Sequence, residues 1–178
     1  MEKQKTKQNL KTFWCANNAK IVFILIISVF SVYSFFIATN LQRNIVPDEP
    51  FHFAVSQVFS SQWRIPEEVS YTRNMGIFIR RNPNLAYWIY GRVLYFYKLI
   101  QPSSNEWQQL FFLRIINSLF SIGMVIYTYL FSKELIKHKW WSLLPVFVLT
   151  NTLMFVLLSG GVNYDNLTNF FSVAGLYY

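Results

Sequence analysis

Pro47-Asp48-Glu49-Pro50-Phe51-His52-Phe53 places two adjacent carboxylates and a histidine within five residues, just after the first long apolar segment. An ionised carboxylate can take a proton from a hydroxyl, and a neighbouring imidazole can assist that transfer. Asp165, in Asn163-Tyr164-Asp165-Asn166, is a further acid beside a later apolar segment. Asp48, Glu49, His52 and Asp165 are therefore the candidate catalytic residues. The same groups could supply hard or borderline ligands to a divalent metal, Asp48 and Glu49 first among them, though nothing in the spacing requires one. Arg73, Arg80, Arg81, Arg92 and Arg114 form a second set. Guanidinium forks match phosphate oxygens, and at a membrane boundary lipid phosphates are close by, so substrate and headgroup contacts both remain open. Arg114 sits inside an apolar run, where an unpaired cation is costly, and an acid such as Asp48 or Asp165 could pair with it.

Local structure offers a competing role for the acids. Proline is welcome in the first turn of a helix and disfavours the helical conformation in the residue before it. A helix opening at Pro50 therefore predicts Glu49 as its N-cap, Asp48 just before it and His52 in its first turn. Carboxylates at that end are stabilised by free backbone amides and the helix dipole, by about 0.3–1 kcal/mol each. Capping accounts for one acid at a helix start, not for two acids and a histidine beside an apolar anchor. Asp165 has its own ordinary reading, as part of a turn rich in Gly and Asn.

The elements that must position these residues are mostly apolar. Of the 178 residues 53% are hydrophobic and 13% charged, against about 25% charged in a soluble domain. The deficit comes from uncharged runs long enough to cross a bilayer, which needs about 20 residues. The expected fold is all-α, a polytopic transmembrane helical protein with a long extracytoplasmic first loop carrying interfacial helices. Residues 1–20 form a basic N-terminus and 21–39 a first span. The loop covers 40–109, a second span 110–131, a cytoplasmic link 132–139 and a third span 140–158. A return turn covers 159–169, and 170–178 begins a fourth span too short to cross, as in the front part of a longer protein. Within the loop, Phe51, Ala54, Val55, Val58, Phe59 and Trp63 recur on one helix face. A second helix is predicted from near Pro83 to Ile100, rich in Tyr and Trp with Arg92 and Lys98 among them, a composition suited to the membrane surface.

The net charge of +8 is a matter of topology more than of partners. Lys3, Lys5, Lys7, Lys11 and Lys20 precede the first span, and Lys133, Lys137 and Lys139 fill the link between the second and third. Basic flanks are retained in the cytoplasm, so the N-terminus belongs inside and the acidic cluster outside. A lipid bilayer accounts for this charge, and no nucleic-acid partner is expected. Cys15, the sole cysteine, can form no disulfide within the chain.

Taken in order, these features resemble the start of a GT-C glycosyltransferase, the superfamily of protein O-mannosyltransferases and lipid A aminoarabinose transferases, and in particular its bacterial relatives with a Pro-Asp-Glu-x-x-His motif. The residues that carry the resemblance are Pro47, Asp48, Glu49 and His52; then Asn82-Pro83-Asn84-Leu85-Ala86-Tyr87; then Arg114 with Asn117; then Asn163-Tyr164-Asp165. Asn84 and Tyr164 stand where the family usually or often has proline. The resemblance implies a sugar donor linked to polyprenyl phosphate, an acceptor on the outer face of a bacterial plasma membrane, and inversion at the sugar carbon. It implies Asp48 as the base that takes the acceptor's proton, with Glu49 or His52 in support, and in some members a divalent metal. Two other readings compete: a multi-pass transporter or flippase, and a non-catalytic subunit or truncated gene product. A transporter should carry charged groups at mid-span, whereas Asp48, Glu49 and Asp165 fall at one membrane boundary.

Overall fold

The computed structural model describes residues 2–43, 45–67, 69–74 and 84–178, with side chains for 17–43, 45–67, 69–70, 73–74 and 85–178. Arg80, Arg81 and Asn82-Pro83 lie outside the described residues, as do the side chains of Asn84, Cys15 and the lysines before Lys20. The described chain is all helix: α1 (Glu2–Asn40), α2 (Glu49–Ser61), α3 (Ser70–Asn74), α4 (Asn84–Ile100), α5 (Glu106–Leu135), a 3-10 turn (Trp141–Leu143), α6 (Leu144–Asn151), α7 (Leu153–Ser159) and α8 (Tyr164–Tyr177).

Among the described residues two helices are long and apolar enough to cross a membrane, α1 over Asn17–Asn40 and α5 over Glu106–Leu135, with a third crossing if the bent pair Trp141–Asn151 and Leu153–Ser159 is one span. The first helix does not begin at residue 21 but runs unbroken from Glu2. The second begins at Glu106 rather than at residue 110, because Asn105 and Gln108 form a capping box. The Asn105 side chain accepts from the Gln108 amide at 3.0 Å, and Gln108 Oε1 accepts from the Asn105 amide at 2.9 Å. At α5's ninth residue the helix carries Arg114, followed by Asn117, Ser118 and Ser121, all buried in one stripe.

The expected third span, 140–158, is two helices with a 68° bend between Trp141–Asn151 and Leu153–Ser159. Its polar patch explains the break. The Thr150 hydroxyl donates to the Val146 carbonyl, Asn151 Nδ2 to Phe147 and the Thr152 hydroxyl to Val148. Side chains that bond back onto the preceding turn bend helices. The final segment, expected as an apolar start at residue 170, is α8 from Tyr164, packed along α5. Phe170 lies 5.6 Å from Phe120 and from Tyr127, ring centre to ring centre.

Two clusters hold these helices. One joins α1, α5, α6 and α7 through Phe30, Val125, Tyr129, Val146 and Phe155. The other joins α2, α4, α5 and α8 through Phe53, Tyr90, Leu94, Leu113 and Leu167. The face read from Phe51 to Trp63 packs on α4 as far as Phe59, and it does so closely, whereas Trp63 lies beyond the end of α2 and is exposed. A Cβ added at Gly91 would meet Phe59 Cβ at 2.6 Å and its carbonyl carbon at 2.8 Å.

Candidate functional site

The ends of four elements meet at a buried ion pair between Glu49 and Arg114. Arg114 Nε donates to Glu49 Oε1 at 2.8 Å and an Nη2 proton to Oε2 at 2.6 Å, a bidentate fork. Glu49 is 1% and Arg114 2% exposed. The remaining guanidinium protons close α1: Nη1 donates to the Leu41 carbonyl at 2.6 Å, and Nη2 to Gln42 at 3.4 Å. The Val162 amide donates to Glu49 Oε1 at 2.9 Å. One carboxylate and one guanidinium thus tie the C-terminus of α1, the start of α2, α5 and the 160–162 turn together. The partner of Arg114 is Glu49, not Asp48 or Asp165.

The capping expectation shifts by one residue. His52 N donates to the Asp48 carbonyl at 2.9 Å, the first bond of α2, so Asp48 is the N-cap. Asp48 has φ 59, left-handed backbone, and its side chain makes no capping bond. Aspartate tolerates that conformation better than most residues. Glu49 is the first helical residue and points inward to Arg114, so neither acid caps by side chain.

A second polar network places Asp165. Asn117, fully buried, accepts from the Tyr90 hydroxyl at 2.6 Å and donates to the carbonyls of Leu158, at 3.2 Å, and Gly161. The Ser118 hydroxyl donates to Ser159, and the Asn163 carbonyl, 2.8 Å from the Tyr90 oxygen, shares the single Tyr90 proton with Asn117. The turn fits closely: a Cβ at Gly160 would meet Ile37 Cγ2 at 2.4 Å, and one at Gly161 would meet Val46 Cγ2 at 2.5 Å. Asn163 then caps α8, its side chain accepting from the Asp165 amide at 2.6 Å.

What this framework presents is a group of five side chains: Asp48, His52, Tyr87, Tyr164 and Asp165. His52 Nδ1 and the Tyr87 hydroxyl share a 2.7 Å hydrogen bond. Tyr164 meets the His52 ring edge-on at 5.1 Å. Burial lowers the His52 pKa, while the charges of Asp48, Asp165 and Glu49 oppose that shift. Burial pushes the Tyr87 hydroxyl well above its ordinary range, reinforced by Tyr164, Asp165 and Asp48. Both acids are therefore close enough to act on the same two rings. Asp48 is exposed and Asp165 half-buried. Neither carboxylate has a hydrogen-bond partner among the described residues. The site is an imidazole held by Tyr87, in the field of two carboxylates that have no hydrogen-bond partner among the described residues.

Of the expected site residues, Asp48, His52 and Asp165 come together, and Glu49 lies behind them, committed to Arg114. Arg114 is thereby unavailable to phosphate. Arg92 is buried and partly committed: its Nη2 donates to the Phe59 and Gln62 carbonyls at the end of α2 and its guanidinium stacks on Trp63 at 4.4 Å, while Nε and Nη1 are buried without a hydrogen-bond partner among the described residues. Arg73 is exposed on α3 and remains open. Tyr87 and Tyr164 complete the group without being among the expected site residues. Among the described residues no group of three or more His, Cys, Asp or Glu is arranged to hold a metal ion. Glu49, one of the two acids that could supply metal ligands, already accepts from three N–H donors. Comparison with protein families, curated proteins and solved structures finds no match to this chain.

Proposed function

We propose that this chain is all or part of an integral membrane glycosyltransferase, moving a sugar from a polyprenyl-phosphate donor to an acceptor on the extracytoplasmic face. The observation that carries this reading is the contrast between Asp48 and Glu49: the first carboxylate is exposed and unpartnered, the second buried in an ion pair. In this reading Asp48 takes the proton of the acceptor hydroxyl. The acceptor oxygen attacks the anomeric carbon, the bond to the phosphate oxygen breaks, and polyprenyl phosphate leaves with its electron pair. His52, held by Tyr87, and Asp165 line the acceptor's side of that step. Arg73, with Arg80 and Arg81, remains the candidate contact for the donor phosphate.

The proposed arrangement is multi-pass in a bacterial plasma membrane, with the N-terminal lysines inside and α2 to α4 resting on the outer surface. Charge distribution favours interfacial chemistry over a transport pathway. The apolar stretch from Ile21 to Thr39 has no charged residue, nor has α6 or α7. Membranes containing the full-length protein, given polyprenyl phosphates carrying radiolabelled hexoses, should transfer label with inversion at the anomeric carbon. Transfer with retention, or no turnover of any such donor, would overturn the reading.

A further inference from the structure

Tyr87 on α4 is wholly buried, and its hydroxyl has one hydrogen-bond partner among the described residues, His52 Nδ1 at 2.7 Å. The direction of that bond follows from its surroundings. A proton on Nδ1 would point at the Tyr87 oxygen and leave the hydroxyl proton buried with no acceptor. A buried polar group without a partner is costly, so the tyrosine donates and Nδ1 accepts. The same argument excludes the imidazolium, in which both ring nitrogens carry protons. Burial of the two groups acts the same way, disfavouring the charged form of each.

Which ring nitrogen carries the proton is set by the bond that the other one makes. With Nδ1 accepting, the proton of His52 sits on Nε2. His52 is 5% exposed, and Nε2 has no hydrogen-bond partner among the described residues. The ring therefore has no lone pair free to act as a base, which leaves that role to Asp48. The titratable groups around it are Asp48 and Glu49 from the start of α2, Tyr87 from α4, and Tyr164 and Asp165 from α8. Glu49 is taken up by Arg114, and an ionised carboxylate accepts without donating. His52 Nε2 is thus a fixed donor beside the acceptors Asp48 and Asp165. A hydroxyl, which both donates and accepts, matches that set. A phosphate does not, because it would meet two like charges there.

We propose that Tyr87 is a positioning residue that holds His52 as the Nε2–H tautomer, so that His52 donates a hydrogen bond to a hydroxyl oxygen of the acceptor and does not carry the acceptor's proton. The identity of the ligand rests on the transferase reading; the state of the ring does not.

Nitrogen-15 NMR of the full-length protein grown on labelled histidine reads the tautomer at neutral pH, with the His52 signals identified by their loss in His52→Ala. Nε2 should be protonated and Nδ1 not. Tyr87→Phe, which removes only the hydroxyl, should raise the Nδ1–H fraction several-fold. The role is read from release of polyprenyl phosphate by membranes given a polyprenyl-phosphate-linked sugar and holding equal amounts of folded protein. Glutamine can accept from Tyr87 and donate to a ligand but cannot shuttle a proton. His52→Gln should therefore release several-fold faster than His52→Ala. A proton on Nδ1 in the wild type, a tautomer ratio that Tyr87→Phe leaves unchanged, or His52→Gln no faster than His52→Ala would each overturn the proposal. Wild-type membranes that release nothing overturn the transferase reading instead, and the tautomer then decides the role of Tyr87 by itself.

Discussion

Asp48 and Glu49 are adjacent in the chain and opposite in circumstance, and the account turns on that difference. Glu49 is surrounded by donors and lacks solvent; Asp48 has solvent and no donor. Removing one partner of a buried ion pair leaves the other charge stranded, at a cost of about 3–5 kcal/mol. Glu49→Ala should therefore lose most of the folded protein, read as a large fall in thermal midpoint in mild detergent. Asp48→Asn should leave that midpoint where it is, because asparagine also tolerates left-handed backbone. His52 supplies a pH signature. Its folded pKa lies below the ordinary 6.5, so the folded protein resists protonation more than the unfolded chain does. The stability it contributes is complete above pH 6.5 and is lost as pH falls through the lowered value. His52→Gln should flatten the decline in thermal midpoint just below pH 6.5. The motif could be read from sequence, but the assignment of roles inside it could not. Glu49 and Arg114 are separated by 65 positions, and nothing local shows which of two neighbouring acids reaches that far.

At the scale of elements, close packing makes two glycines informative. Gly91 is pressed against the Phe59 backbone where α2 crosses α4, whereas Gly175 on α8 has open space where a Cβ would stand. Overpacking a tight contact costs about 1–3 kcal/mol, and Gly91→Ala should destabilise by that order in denaturation of the purified protein. Gly175→Ala should be neutral or stabilising by about 0.5–1 kcal/mol, since alanine is the better helix former. The opposite ranking would show that the α2–α4 crossing is misplaced. The apolar periodicity from Phe51 to Phe59 announced the α2 face correctly, because one-sided burial leaves its mark locally. The apolar run places the start of α5 late, at 110, because it is a louder signal than the Asn105 and Gln108 capping box that precedes it. The break at Thr152 was not legible. Thr150, Asn151 and Thr152 look polar in sequence whether their side chains bond the preceding turn or another helix, and only the former bends the chain.

For the whole molecule, two apolar helices argue for a membrane protein, and the buried polar stripe of α5 sets where the later turn returns beside Asp48. Engineered cysteines at Ser103 and Lys137, both exposed, should report opposite sides. In intact cells the first should react with an impermeant thiol reagent and the second only after lysis; equal reactivity would contradict the proposed topology. Which residues approach one another across the molecule was beyond the sequence, since it depends on α5 holding both α2 and the turn before α8. The central claim is that Asp48 is there for chemistry and Glu49 for structure. The most direct measurement follows release of polyprenyl phosphate from a polyprenyl-phosphate-linked sugar by membranes holding equal amounts of folded wild-type and Asp48→Asn protein. The account predicts that release is abolished in Asp48→Asn while its thermal midpoint is unchanged. Release at the wild-type rate by Asp48→Asn would contradict it.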